Sequence, residues 1–277
     1  MTLNRRTFVA AAGGLMALGA SGIARAAQIR AIGLQLYTVR EIFATDPVGT
    51  LEKVARIGYR EVEYGGGNYD TMDHAMLRKA MDRLHLRAPS LHVPLELMTK
   101  DFAAVVTMMK TLGGETIVLP WLGDEYRSEA GFAKLIPEMN RLAAQAHDAG
   151  LGFAYHNHDF EFLTHSQGTT LYDRLLADTD PALVKFELDL YWAIHAGADA
   201  AKLIDRLSTR LYGFHVKDMK KDRSMAAVGA GTIDFAALFK LPGAAHVQHF
   251  YVEDDEAPAP YIPDITTSFR NLRALRF

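Results

Sequence analysis

From Gln28 onward the chain repeats one unit: a short apolar run, then a longer segment with apolar residues three and four apart. The extended runs fall at residues 29–37, 59–64, 88–93, 116–120, 151–158, 184–190, 211–217 and 247–253. Helical spacing separates them. Asp46 and Pro47 supply an N-cap and a first helical position. Further helical stretches are predicted at 72–86, 102–112, 128–149, 171–177, 200–208, 235–239 and 268–275, with Gly113-Gly114 and Gly150 as stop signals. Eight strand–helix units in about 250 residues match the size of a (β/α)8 barrel. An open doubly wound sheet fits less well, because no G-x-G-x-x-G follows the first run and Gly65-Gly66-Gly67 reads as a loop. The expectation is α/β, a single (β/α)8 TIM barrel over residues 28–277.

Residues 1–27 read as an address. Asn4-Arg5-Arg6-Thr7-Phe8 is basic, residues 9–23 carry no charge, and Ala24-Arg25-Ala26 offers a small-residue cleavage pattern. The uncharged stretch is short for a membrane span. The paired arginines resemble a twin-arginine export signal, which implies a periplasmic protein with no stable membrane anchor after cleavage.

The sequence carries 30 basic and 33 acidic residues for a net charge of −3, and no cysteine. Disulfides, thiolate metal sites and cysteine nucleophiles are therefore excluded. A slightly acidic chain lacks the electrostatic footprint of a nucleic-acid binder.

In a parallel barrel the functional face lies at the C-terminal ends of the strands. Gln35, Glu63, Ser90, His92, His156, His158, Glu187, Asp189, His215, Lys217 and Glu253 fall there, with Trp121 and Trp192 close by. Residues two apart share a face. So many ionisable groups inside an apolar barrel need partners or a metal. Carboxylates with imidazoles and no thiolate suit Mg²⁺, Mn²⁺, Co²⁺ or Zn²⁺. Structural readings stand beside these. Glu187 would pair with Lys185 or Lys217, His249 would be packed in the core, and Asp254, Asp255 and Glu256 would form a solvated loop.

The runs Leu34-Gln35-Leu36-Tyr37, Ser90-Leu91-His92, Tyr155-His156-Asn157-His158-Asp159-Phe160-Glu161-Phe162, Glu187-Leu188-Asp189, Phe214-His215-Val216-Lys217-Asp218 and Val252-Glu253 resemble the xylose isomerase-like barrel superfamily. The branch they are most similar to is that of the sugar phosphate isomerases/epimerases. Residues 228–235 are similar to that branch's loop after the seventh strand. The resemblance implies one divalent metal ion (Mn, Mg, Co or Zn) held by Glu161, Asp189, His215 and Glu253. Epimerases of this fold carry the first of these Glu residues at the strand end, where this chain has His156, so either Glu161 or His156 fills that place. They also often carry a substrate-binding His where this chain has Trp192.

The implied chemistry is enediolate formation on a sugar or keto-sugar. Glu161 or Glu253 takes the proton beside the carbonyl, and the other returns one. His92, Lys217, Glu63, Trp121 and Trp192 would bind the substrate. The alternative is a metal-dependent lyase that eliminates the aglycone from 3-keto-glycosides, with His156 or His158 as acid. Export and the lack of an arginine cluster favour a substrate that is not phosphorylated. A DNA-repair endonuclease of the same superfamily is opposed by the acidic charge. A metal-independent sugar-binding protein is the non-enzymatic reading. Homo-oligomer formation is left open.

Overall fold

The computed structural model describes residues 28–166 and 168–277. The expected export signal lies outside the described residues. Each extended run condenses to a short strand: β1 (Gly33–Gln35), β2 (Glu61–Glu63), β3 (Ser90–His92), β4 (Thr116–Leu119), β5 (Gly152–His156), β6 (Val184–Asp189), β7 (Leu211–Val216) and β8 (His249–Val252). All neighbours are parallel, and β1 pairs with both β2 and β8. The ring continues through β7, β6, β5 and β4 to β3. Between β3 and β2 the ladder shrinks to bridges from Glu61 to Arg87 and from Tyr64 to Leu91. The expected (β/α)8 architecture is present as a nearly closed barrel.

Alternation along each strand sorts the side chains. Leu34, Val62, Leu91, Leu119, Phe153, Leu188, Phe214 and Val252 point outward into the layer beneath the helices and are fully or almost fully buried. Such residues each contribute roughly 1.5–3 kcal/mol by leaving water. The inner face is polar: Gln35, Glu63, Ser90, Glu187, Asp189 and His215 are all completely buried. The Tyr251 ring fills the space beside β1, where a Cβ on Gly33 would stand 2.3 Å from it. Register then sets the site, because His156 lies opposite Glu187, Asp189 opposite His215, and His215 opposite Tyr251.

The helices follow their capping signals. Asp46 accepts from Gly49 N above Pro47–Ile57, Asp101 caps Phe102–Leu112, and Ser128 caps Glu129–Asp148. Short helices Arg40–Thr45, Leu95–Lys100 and Leu190–His195 add to the predicted ones. The last helix runs over Ile262–Ala274 and so starts earlier than expected, because Thr266 and Thr267 weaken the helical pattern of its first turns. No helix among the described residues is long and apolar enough to cross a membrane.

Asp218, just past β7, organises the following loop. Its carboxylate accepts from the backbone N–H groups of Met219, Gly229, Gly231 and Ile233 at 2.8–3.2 Å. A Cβ on Gly231 would lie 2.2 Å from that carboxylate, so glycine is required for the approach. Ser268 and Asn271 of the last helix bond Val228 and fasten the loop from behind. Asp218→Ala strands four amides without an acceptor. Urea denaturation is expected to show a loss of about 3 kcal/mol with little change in m.

Candidate metal centre

Four strand ends supply the site. β5 ends in His156, β6 in Glu187 and Asp189, and β7 in His215 with Lys217 just beyond. Glu253 follows β8 directly. Asn157 holds the first two ends together: its Oδ1 accepts from Asp189 N at 3.1 Å and its Nδ2 donates to Asp189 O at 3.3 Å.

Two groups of potential ligands share His215, and in each the ligand atoms lie within 4.8 Å of one another. Glu63, His92, Glu187 and His215 form the deeper group, and His156, Asp189, His215 and Glu253 form the other. In the deeper group the nitrogens are already spoken for. His92 Nε2 sits 2.9 Å from Glu187 Oε2 and 3.1 Å from Glu63 Oε2, while His215 Nε2 is 2.7 Å from Glu63 Oε2. Gln35 and Ser90 also donate to Glu63. Burial disfavours charge on His92, but Glu63 and Glu187 outweigh it and raise its pKa to about 9. His92 is therefore an imidazolium at neutral pH, a countercharge with no lone pair to offer on the nitrogen between the two carboxylates.

The other group is built differently. Asp189 spends Oδ1 on capping its own helix, accepting from Trp192 N at 2.9 Å, and its Oδ2 makes no hydrogen bond. His156 Nε2 is buried without a partner, 3.5 Å from that Oδ2. Burial, reinforced by His215, lowers the His156 pKa and keeps the ring neutral. Lys217 holds Asp189 in its charged form: burial pushes the carboxyl up, yet the neighbouring ammonium brings it down to about 2. An imidazole nitrogen with no hydrogen bond, facing a carboxylate oxygen that only ion pairs hold, is a donor set that a divalent cation fits.

Several expectations need correction. Lys217 is completely buried, and its ammonium lies 3.1 Å from Asp189, 2.9 Å from Glu253 and 2.9 Å from Asp255. It donates to Asp255 and neutralises the site from the cavity wall. Glu63 is completely buried, does not line the cavity, and anchors His92 and His215. Glu187 joins the same anchor and pairs with neither lysine; Lys185 donates to Thr209 O. Asp254 is buried and Asp255 holds Lys217, so the segment after Glu253 is part of the site. His249 is tied to Glu61 at 3.0 Å at the opposite end of the barrel.

Glu161 belongs to neither group. Its carboxylate sits on the outer side of β5, accepting from Tyr155 Oη at 2.6 Å and from His158 N at 3.0–3.1 Å. Tyr155 and His156 alternate on the strand, so a group bonded to Tyr155 lies behind the wall that carries His156. Glu161 thus shapes the turn that presents His158.

Above the groups opens a cavity of about 640 Å³. His92, His156, His158, Trp121, Trp192, Arg127, Lys217, Glu253 and Asp255 line it, and Tyr37 and Gly65-Gly66-Gly67 form the far wall. Trp121 is 51% exposed at the mouth. Arg127 stacks over the Trp121 ring at 4.0 Å. His158 is enclosed by Trp121, His156 and Trp192 at centroid distances of 4.7, 4.9 and 5.5 Å. Burial, with help from His156 and Lys217, pushes its pKa well below the ordinary histidine value. Its Nδ1 has no partner, and neither does Trp192 Nε1.

A family model described as xylose isomerase-like TIM barrel matches residues 51–252. The chain belongs to the xylose isomerase-like TIM barrel family. Among curated relatives, the inosose dehydratase of Clostridium beijerinckii is 24% identical over 249 residues, 76% of this chain and 82% of its own. Among solved structures, a sugar phosphate isomerase/epimerase from Parabacteroides distasonis superposes with a TM-score of 0.75 at 25% identity, covering 92% of this chain and 96% of that one. The D-allulose 3-epimerase of Methylomonas sp. shares the fold, with a TM-score of 0.65 at 17% identity over 89% of this chain and 98% of that one. The two groups of buried ligand atoms in this family member thus sit at the C-terminal barrel face, where the fold places its chemistry.

Glu161 gives a pH signature. Burial raises its pKa to about 7, above the ordinary carboxylate value of 4.5, against the hydrogen bonds from Tyr155 and His158. The folded protein then holds a proton that the unfolded chain releases, so stability falls as pH rises from about 4.5 through 7. Glu161→Gln removes this penalty. Relative to wild type, the variant should be on the order of 3 kcal/mol better off at pH 8 than at pH 4, as read by urea denaturation at the two pH values.

Proposed function

We propose that the protein is a divalent-metal-dependent lyase that removes a proton beside the carbonyl of a neutral keto-sugar or 3-keto-glycoside and expels water or the aglycone from the next carbon. One observation carries this reading. The carboxylates beside the buried groups at the cavity floor, Glu253 and Asp255, both come from the end of β8, whereas β5 presents His156 and His158. Epimerisation calls for a proton donor and a proton acceptor on opposite faces of one carbon. A site with one uncommitted neutral base on one side suits elimination, in which the same group takes the proton and returns it to the departing oxygen.

Asp189, His215 and Glu253 would hold the metal, which when bound supplies a Lewis acid for the carbonyl and its neighbouring hydroxyl. His158 acts as the base. Its neutral imidazole lines the cavity, and its Nδ1 is unpartnered. It takes the proton from carbon, the C–H electron pair becomes the new C=C bond, and the C–O pair leaves with oxygen. The imidazolium then gives its proton to that oxygen and the ring returns to its starting state. His92, fixed by Glu63 and Glu187, turns its remaining ring edge toward the cavity. Trp121 and Trp192 offer flat faces to a sugar ring.

The cavity wall favours an uncharged substrate. Asp70, Asp159, Glu253 and Asp255 stand against Arg127 and Lys217, and Lys217 is ion-paired with three carboxylates. The sequence relatives named inosose dehydratase support loss of water from a polyhydroxylated ketone. The similarity to a sugar phosphate isomerase/epimerase supports the second reading, isomerisation or epimerisation at the same carbon. Export to the periplasm is part of the proposal and rests on the pattern of residues 1–27 alone.

Mass spectrometry of metal-loaded enzyme with keto-sugars and 3-keto-glycosides in deuterated water separates the readings. Elimination yields an unsaturated ketone with release of water or alcohol, whereas solvent deuterium incorporated without release indicates the isomerase. His158→Gln is expected to lower kcat by roughly 10²–10⁴-fold with unchanged metal content and melting. Full activity in that variant would remove His158 from the chemistry.

A further inference from the structure

His156 carries more information than its place in the group. Its ring is only 2% exposed, and its Nδ1 lies 3.3 Å from the carbonyl oxygen of Pro120, which follows β4. A carbonyl can only accept, so this contact places the ring proton on Nδ1 and leaves the lone pair on Nε2. That Nε2 is the buried atom without a partner, and it faces Asp189 Oδ2 at 3.5 Å. A backbone carbonyl that fixes the tautomer of a buried imidazole is how proteins orient a histidine toward a metal. His215 presents its other nitrogen to the same group, with Nδ1 2.8 Å from Glu253 Oε2.

We infer that His156 is the fourth ligand of the metal, through Nε2. The resulting set of two imidazoles and two carboxylates takes a borderline cation, zinc or cobalt(II), in preference to magnesium or manganese. This rests on the proposed metal site and adds to it the identity of a ligand and the class of ion. Two nitrogens favour ions that bind imidazole well over the hard, oxygen-seeking ones. Glu161, engaged with Tyr155 and His158, takes no part.

The test uses the full chain stripped with a chelator. X-ray absorption of the protein loaded with one equivalent of zinc should count two imidazoles in the wild type and one in His156→Gln. Competition calorimetry should show the preference for zinc over manganese narrowing at least tenfold in His156→Glu, with melting curves confirming that both variants fold. Asp189→Asn is the control for the site itself. If one imidazole is counted in the wild type, or if the zinc-to-manganese ratio in His156→Glu matches that of the wild type, the inference falls while the site survives, provided Asp189→Asn still abolishes binding. If the wild type takes up no stoichiometric metal, or Asp189→Asn binds as the wild type does, the site and the inference fall together.

Discussion

The two-sided engagement of His215 is the contact on which the interior depends. Its Nδ1 meets Glu253 and its Nε2 meets Glu63 and Glu187, so one ring on β7 links β8, β2 and β6 across the barrel. Four carboxylates, Glu63, Glu187, Asp189 and Glu253, are buried here against a single ammonium, that of Lys217. In an interior of low polarity such an excess is unstable unless each charge is matched. His92 matches one at neutral pH, held protonated by the two carboxylates it touches. Burial opposes charge on His215 too, yet Glu187 and Glu253 raise it well above the ordinary histidine value, and in the other group His156 Nε2 and Asp189 Oδ2 are left without a hydrogen bond. Removing one member of such a network costs about 3–5 kcal/mol, because its partner is left charged and unpaired.

The backbone around the site is fixed by the same atoms that shape it. Asp189 caps the helix that follows β6 with one oxygen and points the other into the group. Asn157 ties the backbone of Asp189 to the end of β5, so the His156–Asp189 spacing is set by main-chain bonds rather than by flexible loops. Pro120 O fixes the His156 ring, and Glu161 fixes the turn carrying His158. A site assembled this way is preorganised, because main-chain bonds fix where its side chains stand.

Much of this was legible in the residue order. The strand–helix alternation predicted the barrel, the strand-end rule placed Asp189, His215 and Glu253 among the polar residues of one face, and the family resemblance singled them out. The ambiguity at strand five came from parity. His156, two residues before His158 and on an inward face, and Glu161, three beyond His158 in a turn, are equally plausible ligands on paper. Only the turn geometry shows that Glu161 folds back onto Tyr155. Lys217 misled for a different reason. A lysine at a strand end reads as a substrate contact, and nothing in its neighbours Val216 and Asp218 reveals that Asp189, Glu253 and Asp255 from two other strand ends converge on it. Long-range pairing of that kind has no local signal. Asn157 was also passed over, although an amide between two histidines and pointing the other way along the strand is suited to bonding a neighbouring backbone.

The division between the two groups bears on how the pocket works. The deeper group is closed by its own hydrogen bonds: the facing nitrogens of His92 and His215 both rest on carboxylates, and Ser90, Gln35 and Tyr251 complete the shell. It therefore behaves as a floor that fixes the orientation of His215. The open group stands on that floor, with buried polar atoms on His156 and Asp189 that make no hydrogen bond. Above it the wall is asymmetric, with aromatic rings and neutral imidazoles from β4, β5 and β6 on one side and the Lys217 ion pairs near β8 on the other. On the function proposed above, a keto-sugar would meet neutral imidazoles on the first side and ion-paired charges on the second. On the proposed reading proton transfer is confined to one face, which is why elimination is proposed ahead of inversion of a stereocentre.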